Sequence, residues 1–235
     1  MKGVIVSAGL GTRMRPLTNI VSKNLLPVYN KPLIYYSIEI LKEAGISDII
    51  LIVNKRDIEQ YKTIVGNGDG FDVKIIYAIQ HEQKGTAHAI LCAEEFAGGE
   101  NIAVIFADNI LEDKIDAGNF KGGARIFLKQ VPDPERFGIA EIKDGRIISL
   151  EEKPKEPKSN YAVIGIYIYD SRVFDYIRTL KPSGRGELEI TDLNNIYFQN
   201  NDLDFSMIKG FWIDAGTFDS MLEAGNLMKE RFLKK

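Results

Sequence analysis

Several residue types that would commit the chain to a particular chemistry are scarce. There is one cysteine, Cys92, among 235 residues, so no internal disulfide can form. Its setting, Ala89-Ile90-Leu91-Cys92-Ala93, is that of a small buried hydrophobe, and such sparing use of cysteine fits a reducing cytoplasm. Two histidines, His81 and His88, and no cysteine pair leave too few ligands for a structural zinc site. His88 lies on an apolar helical stretch and reads as structural, whereas His81 lies in a polar loop and reads as exposed. No run approaches 18 uncharged apolar residues, so no membrane partner is expected. Nor is there an excess of positive charge: the net charge is −3 and the pI about 5.6, which argues against nucleic acid and leaves anion binding to local groups.

What is present is an alternation of apolar runs. Strands are expected over Lys2–Val6, Asp48–Val53, Phe71–Ala78 and Asn101–Phe106. Between them the pattern predicts a helix opened by Asn30 as cap with Pro32 in its first turn and ended at Gly45, and helices over Ile58–Val65 and Thr86–Phe96. Such βαβ alternation implies an α/β fold, a Rossmann-like three-layer α/β/α sandwich around a mixed, mostly parallel sheet. Further on, Gly123–Gln130 and Tyr161–Tyr169 read as strands, and Asp144-Gly145 marks a hairpin between Ile139–Ile142 and Ile147–Glu151. Helices are expected over Ser171–Leu180, Glu187–Gln199 and from Thr217 onward. The Pro- and Lys-rich stretch 153–160 is short and re-enters a strand at once, so it reads as an excursion from one sheet, and residues 1–235 as a single domain.

The first strand runs into Ser7-Ala8-Gly9-Leu10-Gly11-Thr12-Arg13, followed by Ser22-Lys23-Asn24-Leu25-Leu26-Pro27. Glycines let backbone N–H groups close around an anion, and Arg13, Arg15 and Lys23 add positive charge. The spacing matches neither a Walker loop, which needs Gly-Lys after four residues that follow its first glycine, nor a dinucleotide fingerprint, whose third glycine is replaced by Met14. Two aspartates stand at the ends of apolar runs, Asp108 after Ile102–Ala107 and Asp214 after Phe211-Trp212-Ile213. Each alone could be a cap or an ion-pair member. Together beside a phosphate loop they suit Mg²⁺, which takes one or two carboxylates plus phosphate oxygens. Transfer at phosphorus needs mainly positioning and neutralised charge, which this set supplies without a nucleophilic side chain.

These segments resemble the sugar-1-phosphate nucleotidyltransferases, most closely their glucose-1-phosphate thymidylyltransferase branch. The resemblance spans the chain and includes Asp108-Asn109-Ile110, Asp133-Pro134-Glu135-Arg136-Phe137-Gly138, Glu151-Glu152-Lys153-Pro154-Lys155, Ser159–Val163, Gly186–Asp192 and Trp212–Thr217. It implies transfer of a nucleotidyl group from dTTP to glucose 1-phosphate, with UTP as the alternative donor. Ala8, Gly9, Gly11, Thr12 and Arg13 would hold the triphosphate. Arg13 and Lys23 would stabilise the α-phosphate and departing pyrophosphate, and Asp108 and Asp214 would hold Mg²⁺. Gln80 and Gly85 match the positions that read the pyrimidine. Asn109, Phe137, Gly138, Glu152 and Val163 match the sugar pocket, and Lys153 and Arg185 the grip on the sugar phosphate. Residues 1–110 would then be mainly the nucleotide-binding half and 111–235 the sugar-phosphate half. Without the resemblance, Glu152 and Lys153 read as a charged strand end, Arg185 as a loop residue and Phe137 as a core aromatic.

The chain departs from the thymidylyltransferase pattern in places. Ala8 and Leu10 stand where that branch has glycine and a small residue, and Thr86 where it has leucine; the forms seen here are those of bacterial uridylyltransferases. Phe137 replaces a tyrosine. Longer relatives continue past the position of Lys235 with helices tied to tetramer formation and feedback inhibition, so part of that apparatus is expected to be missing, with homo-oligomerisation left open. Two other classes compete. One is a catalytically silent nucleotide-sugar sensor, which would have no need to keep Arg13, Lys23, Asp108 and Asp214 together. The other is a glycosyltransferase, whose Asp-x-Asp metal motif is absent from Asp108-Asn109-Ile110.

Overall fold

The structure, a computed structural model, describes residues 1–234. From the N-terminus come β1 (Lys2–Ser7), three single-turn 3-10 helices (Thr12–Met14, Leu17–Asn19, Lys23–Leu25), β2 (Pro27–Val28), β3 (Lys31–Pro32), α1 (Leu33–Glu43), β4 (Asp48–Asn54) and α2 (Ile58–Val65). Next are β5 (Lys74–Gln80), α3 (Thr86–Leu91), α4 (Glu94–Ala97), β6 (Ile102–Phe106) and β7 (Asn109–Leu111). The remainder comprises β8 (Ala124–Gln130), β9 (Gly138–Lys143), β10 (Arg146–Glu152), β11 (Tyr161–Tyr169), α5 (Val173–Thr179), α6 (Ile190–Gln199), β12 (Leu203–Met207), β13 (Trp212–Asp214) and α7 (Phe218–Leu233).

Nine strands form one mixed sheet, ordered β10-β9-β11-β6-β1-β4-β5, with β8 beside β11 and β12 beside β8. The pairings β6-β1, β1-β4 and β4-β5 are parallel, as βαβ units require. β11 runs antiparallel to β6, β8 and β9 and carries the sheet from one half of the chain into the other. Alternation along the central strands explains the layers. On β4, Ile50 and Ile52 face α3, α5 and α6, while Ile49, Leu51 and Val53 face α1 and α2. Each strand is thus apolar on both faces, so these segments read as continuous hydrophobic runs. The α/β sandwich expected from the sequence is the architecture found.

Local departures have physical causes. Asn30 does not cap α1: Asn30 and Lys31 lie in a small β2-β3 hairpin, and Pro32, extended at φ −58°, ψ 144°, stands at the cap position without a side-chain bond. The strand expected from Phe71 begins at Lys74, because Asp69–Phe71 make a 3-10 turn between Gly68 and Asp72, both at positive φ. The helix expected over Thr86–Phe96 divides into α3 and α4 at Cys92 and Ala93. α5 and α6 start two or three residues late, α6 because Glu189 is still extended. The hairpin turn is as expected, with Asp144 and Gly145 at φ 50° and 73°, the positive pair of a type I′ turn. β7, β12 and β13 are short or half polar and carry little periodic signal.

Candidate active site

Parallel strands deliver their C-terminal ends to one edge, and the segments leaving β1, β5 and β6 meet there. Beyond β1, the glycine loop opens the cradle. Gly11 has φ 62°, and a Cβ there would lie 2.9 Å from Thr18 Cγ2, so both backbone and space demand glycine. Thr18 Oγ1 donates to the Gly11 carbonyl (2.8 Å) and fixes the loop from behind. A pocket of about 290 Å³ joins Val6, Gly9, Leu10, Gly11 and Thr12 to Gln80, Gly85 and Thr86. Ala8, also placed on the triphosphate, is fully buried beneath it. Gln80 donates to the Gly85 carbonyl, and its amide nitrogen is 3.2 Å from His88 Nδ1. His88, half-buried, therefore braces the residue expected to read the base; His81 is exposed.

A second pocket, of about 160 Å³, abuts the same strand ends. Of the residues assigned to the sugar half, it is lined by Asn109, Phe137, Gly138, Glu152, Lys153 and Val163, and by both Asp108 and Asp214. Arg136, Tyr167, Thr191 and Trp212, to which the sequence assigned no role, also line it, as do Phe106, Gly165 and Ile190. Trp212 and Thr191 sat inside quoted motifs; only the packing of β13 on β7 and of α6 on β10 shows that they face this cavity. Thr191 donates to Glu152 Oε2 (2.5 Å), and the Phe137 ring meets Trp212 edge-on at 5.3 Å. Lys153 takes φ 45°, rare for a side-chain-bearing residue, and its N–H donates to the Phe137 carbonyl. Arg185 does not line this pocket: its guanidinium bonds to Glu189 (2.8 Å) and lies 3.6 Å from Glu152.

Asn109 is the brace between the halves. Its Nδ2 donates to the Phe106 carbonyl (3.1 Å) and Asp108 Oδ1 (3.0 Å), while its Oδ1 accepts from Trp212 Nε1 (2.7 Å) and the Gly165 N–H (3.2 Å). All four bonding positions are occupied, so this buried side chain orients Asp108 and Trp212.

Asp108 and Asp214, on the wall of the second pocket, gather the charged groups. Lys23 Nζ forms an ion pair with Asp108 Oδ2. Burial would raise the Asp108 carboxyl, but Lys23, its hydrogen bonds and Arg13 outweigh it and hold the group below the usual carboxylate range. Asp214 goes the other way, pushed up to about 6, chiefly by burial and then by the charge of Asp108. Its Oδ1 is buried without a hydrogen-bond partner. Arg13 lies against Gly216, where a Cβ would sit 2.5 Å from Nη2 and 2.7 Å from Asp214 Oδ1, so only glycine leaves both groups their room. An orphaned buried carboxylate oxygen within the field of a second carboxylate is costly as it stands, and a divalent cation would satisfy it.

Residues 2–231 match the nucleotidyl transferase family. The chain belongs to this family. It is 43% identical to a glucose-1-phosphate thymidylyltransferase of Neisseria meningitidis over 97% of its own length and 83% of that protein. It is also 40% identical to the low-salt glycan biosynthesis nucleotidyltransferase of Haloferax volcanii, over 100% of this chain and 68% of that one. Among solved structures, a Bacillus anthracis protein provisionally assigned as a glucose-1-phosphate thymidylyltransferase, in complex with a sucrose, superposes with a TM-score of 0.92 at 46% identity, covering 97% and 94% of the two chains. A UDP-glucose pyrophosphorylase complexed with UDP-glucose superposes at 0.85 with 26% identity over 98% of each. This nucleotidyltransferase is therefore an enzyme with the α/β fold expected of it, and the silent-sensor and glycosyltransferase readings fall away.

Proposed function

We propose that the enzyme joins dTTP and glucose 1-phosphate, giving dTDP-glucose and pyrophosphate, in the cytoplasm. The observation that carries this reading is a charged cluster shared by two pockets: Asp108 and Asp214 line the cavity that Glu152 and Lys153 also line, Lys23 pairs with Asp108, and Arg13 follows directly on the glycine loop that lines the other cavity with Gln80. A triphosphate and a sugar phosphate entering from opposite sides meet at that cluster. The named relatives, glucose-1-phosphate thymidylyltransferases at about 43% identity, favour dTTP as donor.

In the reaction a phosphate oxygen of glucose 1-phosphate attacks the α-phosphorus of dTTP. The new P–O bond forms as the bond to the β-phosphate oxygen breaks, and pyrophosphate carries away the electron pair. Glycine-loop N–H groups and Thr12 hold the triphosphate; Arg13 faces the leaving pyrophosphate, and Lys23, exchanging Asp108 for phosphate, neutralises the α-phosphate. Asp108 and Asp214 fit Mg²⁺, as the orphaned Asp214 Oδ1 indicates, and the ion when bound neutralises phosphate charge. Gln80 and Gly85 address the base. Gly138, Glu152 and Val163 shape the sugar pocket, and Lys153 grips the sugar phosphate. Arg185 must leave Glu189 to reach it, a short swing for a side chain about half exposed.

UTP is the second reading, favoured by Ala8 and Leu10 in the loop. A single methyl is worth about 1–3 kcal/mol in an apolar pocket, so both pyrimidines should turn over, with dTTP preferred. The test is pyrophosphate release by purified protein with Mg²⁺, dTTP or UTP, and glucose, galactose or glucosamine 1-phosphate. Release fastest with dTTP and glucose 1-phosphate supports the reading; release with none of the pairs overturns it.

A further inference from the structure

Outside both pockets, and used by none of the steps above, lies a buried polar cluster. Tyr61 on α2 is fully buried, and its hydroxyl contacts Ser7 Oγ and, at 2.7 Å, Ser22 Oγ. Asn24 Nδ2 donates to Ser7 Oγ (2.6 Å), and all three partners are 2% exposed. Ser7 is the last residue of β1 before the glycine loop. Ser22 and Asn24 flank Lys23 on either side. One phenol thus ties the root of the phosphate cradle to the turn that carries the lysine at the reacting centre.

Asn24 donates into Ser7, and the Tyr61 hydroxyl shares a hydrogen bond with each of Ser7 and Ser22, so one phenol oxygen links all three side chains. The Tyr61 ring belongs to the apolar cluster on the α1–α2 face of the sheet, so a phenylalanine keeps the ring in that core and deletes only the hydroxyl. Most buried hydroxyls are hydrogen-bonded, and each bond fixes a geometry. We propose that Tyr61 is a positioning residue for Lys23, holding the 22–24 turn against β1 so that the Lys23 ammonium meets Asp108 and, in turnover, the α-phosphate. This rests on the nucleotidyl transfer proposed above.

The test is a double-mutant cycle with two readouts. Tyr61→Phe should lower kcat about tenfold, with KM for dTTP and glucose 1-phosphate within about twofold, yet lower kcat by less than about twofold in a Lys23→Ala background. Equal losses in both backgrounds, or an unchanged kcat with only a lower Tm, overturn the proposal. Acetic anhydride labelling of the protein without substrate, read by mass spectrometry, gives the second readout. In Tyr61→Phe the labelling rate of Lys23 should rise about threefold or more while Lys31 and Lys42 keep theirs, since a turn loosened by a missing hydrogen bond frees the amine. An unchanged Lys23 rate overturns the proposal whatever the enzyme turns over, so a wild type that released no pyrophosphate would count against the reaction and leave the positioning decided by labelling. Ser22→Ala, which removes only one link, should show both effects at about a third of the amplitude; their absence there overturns the proposal even if Tyr61→Phe fails to fold.

Discussion

The two halves of the sheet are built on different principles. β1, β4, β5 and β6 are parallel and joined through helices, so position along each strand decides what reaches the C-terminal edge. From β8 to β13 pairing is mixed, β11 is bulged between Val163 and Tyr167, and the pocket is assembled from strand middles, a turn and the start of α6. The first half presents a backbone cradle for a charged chain of phosphates. The second presents side chains, Glu152, Thr191, Trp212 and Asn109, cross-bonded in a way suited to a hydroxyl-rich ring. On the function proposed above, phosphate would be recognised by main chain and sugar by a side-chain network, and the two should respond differently to substitution.

The largest effects should fall where the halves meet. Arg13→Ala should lower kcat about 100- to 1,000-fold, the cost of deleting one pre-aimed charge-stabilising group, measured as pyrophosphate release at saturating substrates. Asp108→Asn should match it and in addition abolish the response of Tm to added Mg²⁺. Full activity in either variant would break the assignment of the junction. Asn109→Ala probes the sugar side. It leaves the Trp212 Nε1–H and Gly165 N–H without partners, at about 2–4 kcal/mol in stability by chemical denaturation, and should raise KM for glucose 1-phosphate far more than KM for dTTP. Equal increases in both constants would show that the halves are not separable.

What the sequence made legible follows the same division. The strands of the parallel half, the glycine loop, Lys23 and Asp108 all came from patterns with a local cause: continuous apolar runs, glycines before a cation, an acid after a strand. Asp214 was visible for the same reason, although β13 has only three residues. The sugar half was opaque to local reasoning. β7 and β12 have no clean period, the turn at Lys153 has positive φ without a glycine, and Thr191 meets Glu152 only because α6 packs on β10. Gly138, Glu152 and Val163 were assigned through resemblance, and their convergence is tertiary. Asn109 was expected in the sugar pocket and lines it; its saturated bonding makes it a brace as well, which no spacing in the chain encodes.

A smaller effect isolates the electrostatics of the junction from its chemistry. The Asp214 carboxyl sits at about 6 in the folded protein, against about 4 in an unfolded chain. The folded state therefore binds a proton that the unfolded state has already released, and stability from this group falls as pH rises from about 4 to about 6, the full cost being present above that. Asp214→Asn removes the charge and keeps the shape. In EDTA at pH 8 the variant should be about 1–2 kcal/mol more stable than the parent, less than the whole shift allows because the side chain is partly open to water. At pH 4 the difference should vanish. With Mg²⁺ added the order should reverse, because only the parent gains a ligand-bound state. A variant no more stable at pH 8 than its parent would mean that Arg13 and Lys23 already satisfy both carboxylates, and that the strain read here as room for a cation is not present.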